Sequence, residues 1–160
     1  DVIVGLNFNI YYKGFDLNVS GYGNFGQQVF RSYRRYGDQQ YDNYTTEVYN
    51  YWHGEGTSNR IPRVTNSNIN YAEFSDLFLH DGSFLRISNI TLGYDFARLA
   101  RAEWLSQARL YVSVQNAFTF TKYEGMDPEI GYGTSGWCSG IDLGFYPHPR
   151  IFLVGINLQF

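Results

Sequence analysis

The 160-residue chain holds a single cysteine, a single methionine and only four prolines. One thiol, Cys138, excludes an internal disulfide and says little about redox compartment. There is no run of about 18 apolar residues, which excludes a transmembrane helix but not a membrane crossed by alternating strands. Lys and Arg together number 12 against 15 Asp and Glu, a net charge of −3. That balance argues against a nucleic-acid partner, because no stretch gathers the basic residues that phosphates require. The densest basic cluster, Arg31, Arg34 and Arg35, lies among tyrosines in an expected loop. The first residues, DVIVGLNF, are already strand-like and carry no signal-peptide pattern.

What is plentiful is aromatic and small. Aromatic residues make up 19% of the chain, with 15 Tyr, 13 Phe and 17 Gly, a mixture that favours strands and turns over helices. Alternation of period two appears in five segments. Val2, Val4, Leu6, Phe8, Ile10 and Tyr12 share one parity against Gly5, Asn7 and Asn9. Lys13-Gly14 reads as a tight turn, after which Phe15, Leu17, Val19 and Phe25 oppose Asp16, Asn18, Ser20 and Asn24. Ile90, Leu92, Tyr94 and Phe96 are in phase, but Leu85 and Ile87 are not, so a slip near Ser88-Asn89 predicts a bulge. Leu110, Val112, Val114, Phe118 and Phe120 oppose Arg109, Ser113, Gln115 and Thr119. The last residues, RIFLVGINLQF, alternate through Phe152, Val154, Ile156, Leu158 and Phe160.

These patterns predict strands at about 2–12, 15–28, 84–96, 109–121 and 150–160, with a short helical turn between residues 97 and 108. The segments suit tilted membrane strands and exceed the usual soluble length of about 5–6 residues. Connections alternate between short (Lys13-Gly14 and 97–108) and long (31–83 and 122–149), the layout of an outer-membrane barrel. Alternation alone does not say which face is wet. A secreted β-sandwich carbohydrate-binding module with aromatic loops has the same two-faced strands. Five strands do not close a barrel, for which about eight are needed, so a barrel reading makes this chain one part of a larger cylinder.

No constellation points to catalysis, a metal or a cofactor. His53, His80 and His148 are scattered, without ligand spacing. Glu124, Asp127 and Glu129 in KYEGMDPEIG read as an Asp-Pro turn rather than a carboxylate pair. GYGTSGWCSG (131–140) lacks the lysine and the strand–helix context of a phosphate loop.

DGSFLRISNITLGYDF (81–96), YVSVQNAFTFTKYEGMDPEIG (111–131) and GIDLGFYPHPRIFLVGINLQF (140–160) resemble the C-terminal part of SusC/RagA-type TonB-dependent transporters. So do YKGFDLNVSGYGNFG (12–26) and RIPR (60–63). The resemblance implies an all-β fold: residues 1–160 as the last five or so antiparallel strands of a barrel of about 22 strands, with extracellular loops at 31–83 and 122–149. It further implies the outer membrane of a Bacteroidota-type bacterium. Implied partners are a SusD-like surface lipoprotein, TonB with ExbB and ExbD, the barrel-assembly machinery, membrane lipid, and oligosaccharide or oligopeptide cargo, with no enzymatic activity. Phe152, Val154, Ile156, Leu158 and Phe160 match a terminal assembly signal. In the aromatic loops, Tyr49, Tyr51, Trp52, Trp137 and Tyr146 are the residues expected to meet the lid or the cargo, since flat rings with polar tips suit both.

Overall fold

The computed structural model describes residues 1–33, 46–63, 75–97, 105–130 and 139–160. Among the described residues there are eight strands in two sheets, and the contacts divide the chain into two compact units.

The first unit comprises residues 1–27, 83–122 and 147–160. It is an antiparallel meander of β1 (Val2–Tyr12), β2 (Phe15–Phe25), β5 (Phe84–Asp95), β6 (Gln107–Thr121) and β8 (Ile151–Gln159), with each strand beside the next in that order. Lys13 and Gly14 join β1 to β2 with φ of 48° and 91°. Both are left-handed, as a two-residue type I′ hairpin requires, and glycine takes the second place without a Cβ clash. This turn sets the register Tyr12↔Phe15, which brings Ile10 opposite Leu17 and Phe8 opposite Val19.

Register carries one apolar face across all five strands. Leu17 pairs with Leu92, Leu92 with Val112 and Val112 with Val154; Val19 pairs with Ile90, Ile90 with Val114 and Val114 with Phe152. The phase slip resolves as a bulge at Ser88: pairing passes from Asn89 to Ile87 and leaves Ser88 out. The Ser88 hydroxyl donates to Ser20 O at 3.0 Å. The extra residue returns Leu85 and Ile87 to the face of Ile90 and Leu92, opposite Phe120 and Phe118.

The apolar face is exposed. Leu6, Phe8, Leu92 and Ile156 keep more than half of their surface, and Val154 keeps 74%. A contiguous apolar surface on this scale is abnormal for a protein bathed in water. Aromatic residues border it at both ends: Tyr12, Phe15 and Tyr94 toward the short turns, and Phe25, Phe118 and Phe120 toward the long connections. Phe15 packs on Tyr94 at 4.4 Å between ring centroids, and Phe118 stacks beside Phe120 at 6.4 Å. From Phe15 to Phe25 is ten strand steps, roughly 33 Å along the strand. A tilt of about 40° turns that into a band about 25 Å tall, the apolar height of a membrane barrel.

The second unit comprises residues 28–82 and 123–146. The alternation after Lys13 predicted a strand reaching residue 28, but β2 stops at Phe25. Gly26, at φ 87°, breaks it, and Gln28–Arg31 becomes β3 of another sheet. There β3 pairs antiparallel with β4 (Leu79–Asp81) and parallel with β7 (Ile141–Asp142). Phe30 and Phe78 form its small core, edge to face at 5.9 Å. The Tyr123 hydroxyl donates to the buried Asp142 carboxylate at 2.5 Å, and Gly144 N–H donates to the other carboxylate oxygen at 2.8 Å. Burial first, and then the hydrogen bond to Asp142, push the Tyr123 phenol well above its ordinary value. It therefore stays protonated and serves as a donor. Most of the expected helical turn after residue 97 lies outside the described residues.

Candidate functional site

The face opposite the apolar one is built from short amides and hydroxyls. Asn18, at the middle of β2, donates through Nδ2 to Asn9 Oδ1 at 2.5 Å and Asn7 Oδ1 at 3.2 Å on β1. Its own Oδ1 accepts from Ser20 and from Asn89 Nδ2, each at 3.3 Å. Asn89 also donates to Thr91 Oγ1 at 3.0 Å and accepts from Ser113 Oγ at 2.8 Å, and Thr91 and Ser113 share a further hydroxyl bond at 2.8 Å. The result is one uncharged network spanning β1, β2, β5 and β6. Alternation puts these side chains on one face, and the register of Asn7↔Ser20, Asn18↔Thr91 and Thr91↔Ser113 places them side by side.

Nearer the short turns the same face carries charge. Arg109 on β6 donates through Nε to Asp16 Oδ1 at 2.8 Å and through Nη2 to Asp16 Oδ2 on β2. The pair crosses the intervening strand β5 above Gly93. A Cβ at Gly93 would lie 2.6 Å from Arg109 Nε, so only glycine lets the fork lie flat on the sheet. The guanidinium also stands 5.0 Å from the Tyr111 ring centre. That ring in turn covers Gly155 of β8, where a Cβ would meet Tyr111 Cε1 at 2.7 Å. Toward the long connections, Arg86 donates to His148 Nδ1 at 3.0 Å, and Asn116 Nδ2 donates to Pro149 O at 3.0 Å. A polar wall with long side chains laid flat over two glycines is the chemistry of this face.

The residues singled out in the sequence scatter differently. Phe152, Val154, Ile156 and Leu158 all lie on the exposed apolar face of β8, and Phe160 follows at the turn end, 78% exposed. Tyr49 and Tyr146 are about four-fifths exposed, and Trp52 is 40% exposed. Tyr51 is buried at 4%, and its backbone bridges Ile61. Trp137 lies outside the described residues, as do Arg34 and Arg35, while Arg31 is buried. His53 Nδ1 sits 2.7 Å from Tyr51 O, and His80 packs edge-on to Tyr123. Asp127 accepts from Glu129 N–H at 3.0 Å, the geometry of a turn. Alternation does not reveal the Asp16–Arg109 pair, although Gly93 on the polar parity of a strand is the kind of residue that marks a close crossing.

A strand meander with one exposed, aromatic-bordered apolar side and one hydrogen-bonded polar side is the kind of sheet from which a membrane β-barrel wall is made. Comparison with known proteins gives the family. No family profile matches the chain. Over its full length it is 31% identical to TonB-dependent receptor P3 of Formosa agariphila and 32% identical to TonB-dependent receptor SusC of Bacteroides thetaiotaomicron. It spans 16% and 15% of those proteins respectively. The structure of the RagAB peptide transporter superposes with a TM-score of 0.77 at 25% identity, over 98% of this chain and 17% of the transporter chain. The chain belongs to the SusC-like TonB-dependent receptors, as a C-terminal segment of that family. The sandwich reading is not favoured.

Proposed function

We propose that this chain forms the last five membrane strands of a closed, about 22-stranded outer-membrane barrel that imports oligosaccharide or oligopeptide. The observation that carries the reading is the division of one sheet into an exposed apolar face and a continuous polar one. In lipid every backbone donor and acceptor must be paired within the protein. The free edges of β1 and β8 therefore pair with strands of the longer protein, and the polar wall lines its interior. A plug belonging to that longer protein closes the pore, TonB with ExbB and ExbD supplies the energy, and a SusD-like lipoprotein caps the outer mouth. The long connections 31–83 and 122–149 face outside, with Tyr49, Trp52, Trp137 and Tyr146 available to lid or cargo. The likeness to TonB-dependent receptors and to a peptide transporter supports this reading. Nothing in the site performs acid–base or nucleophilic chemistry in this account; the work is passage.

Phe160 and the alternate residues before it act in assembly, because the last strand must find and close against the first. Replacing Phe160 by Ser in the full-length receptor should lower the assembled, heat-modifiable barrel severalfold while the amount synthesised stays the same. Pulse-labelling with outer-membrane fractionation reads this directly. Undiminished assembly would remove the role assigned to the terminal aromatic.

A further inference from the structure

Each neighbouring pair of strands in the first unit must settle on one register. The β1–β2 pair takes it from the two-residue turn at Lys13-Gly14, and both ladders of β5 are pinned by the bulge at Ser88. The β6–β8 pair has neither device. Residues 122–150 separate the two strands, and their ladder runs unbroken from Gln107↔Gln159 to Gln115↔Ile151. Alternation rejects a slip of one residue, which would turn Phe152, Val154, Ile156 and Leu158 to the polar face. It does not by itself reject a slip of two.

The two such slips differ. Displaced by two residues toward the short turns, β8 would set Arg150 opposite Val114, a charge on the apolar face. Displaced by two toward the long connections, it would set Val154 opposite Val114, Ile156 opposite Val112 and Leu158 opposite Leu110, all of them apolar. Asn116 Nδ2 donates to Pro149 O, and the Ser106 amide and hydroxyl donate to Gln159 O. Those acceptors are main-chain oxygens, which carry no residue identity. The second slip is therefore left for a side-chain feature to exclude.

β8 holds one glycine, Gly155, and it pairs with Tyr111. A Cβ there would come 2.7 Å from Tyr111 Cε1, so the ring occupies the space that any other residue would fill. Glycine weakens a strand interior and marks the close approach of another group; an aromatic ring laid over it restores the lost packing. In the second slip Tyr111 would face Asn157, whose side chain stands where the ring now lies. We propose that the Tyr111–Gly155 pair selects the register in which β8 docks on β6. The selection needs only these two strands. The barrel reading, on which this part rests, adds its consequence: the other edge of β8 closes the cylinder, so its register sets the shear at closure.

The test is disulfide trapping in the full-length receptor assembled in the outer membrane, with native cysteines replaced. Val112→Cys with Val154→Cys reports the observed register, and Val112→Cys with Ile156→Cys reports the slip; both pairs lie on the apolar face, away from Tyr111 and Gly155. With Tyr111 and Gly155 intact, the first pair should cross-link and the second should not. Tyr111→Ala and Gly155→Thr should each raise cross-linking of the second pair severalfold, although threonine is the better strand former. Tyr111→Phe keeps the ring and should keep the observed register. Gly155→Thr combined with Asn157→Gly moves the glycine by two residues and should make the slipped link the major product, a readout that stands even where Gly155→Thr alone fails to assemble. The observed register in every variant, slippage in Tyr111→Phe, or a relocated glycine that does not move the register would each overturn the assignment. Import that continues while register ignores Tyr111 and Gly155 would reject the pair's role and leave the import reading standing. Register selection that holds in a receptor that moves no cargo would do the reverse.

Discussion

A lysine at Val114 is expected to destabilise the assembled barrel by about 2–4 kcal/mol, the cost of a cation near the bilayer midplane on the lipid side of a barrel strand. Val114 sits between Ile90 on β5 and Phe152 on β8, in the middle of the apolar face, where the proposed barrel gives its substituent no water to reach. The neighbouring Gln115 is the internal control. It lies one residue along the same strand, on the opposite face, and is exposed. Gln115→Lys should therefore change stability by no more than about 0.5 kcal/mol, as for a surface substitution. Reversible denaturant unfolding of the full-length receptor in vesicles would give both values. A large difference between adjacent residues is the signature of a two-faced membrane strand. Equal costs would mean that both positions meet the same environment.

The second large effect concerns Gly93. A valine there would drive two branches into the space occupied by Asp16 Oδ1 and the Arg109 guanidinium, and we expect a loss of about 1–3 kcal/mol from overpacking. The mechanism can be separated from a simple loss of glycine. The Asp16 and Arg109 side chains are 18% and 22% exposed, between a surface pair and a buried one. Their coupling should thus be about 1–2 kcal/mol, above a surface ion pair and toward a hydrogen bond to a charged group. A double-mutant cycle with Asp16→Asn and Arg109→Gln should return that coupling in the wild-type background and almost none in Gly93→Val. Persistence of the coupling beside valine would show that the fork does not cross above this glycine. Within the pair, the carboxylate and the guanidinium compensate each other. The uncharged network around Asn18 extends the same character across four strands.

The sequence announced some of this plainly and hid the rest for physical reasons. The hairpin at Lys13-Gly14 was visible because a two-residue turn must place both residues at positive φ, and few dipeptides do so readily. The bulge at Ser88 was visible as a break in parity, since a slipped strand would otherwise turn Leu85 and Ile87 to the wrong face. The end of β2 was not visible. Val29 and Phe30 continue an apolar pattern, and what takes Gln28–Arg31 into another sheet is pairing with residues 79–81 and 141–142, far away along the chain. The same distance hid the partner of Asp16, which lies 93 residues on. Tyr51 and Trp52 illustrate the limit most sharply. They are adjacent and both aromatic, yet one is buried and the other is 40% exposed.

The most direct test of the account is a nitroxide scan along β8 in the full-length receptor reconstituted into bilayers, with native cysteines replaced. Labels at Phe152, Val154, Ile156 and Leu158 should be reached by oxygen dissolved in lipid, and labels at Leu153, Gly155 and Asn157 should not. A period of two over these positions is the predicted result. Uniform exclusion of oxygen, with the even-numbered side chains shielded by protein, would contradict it.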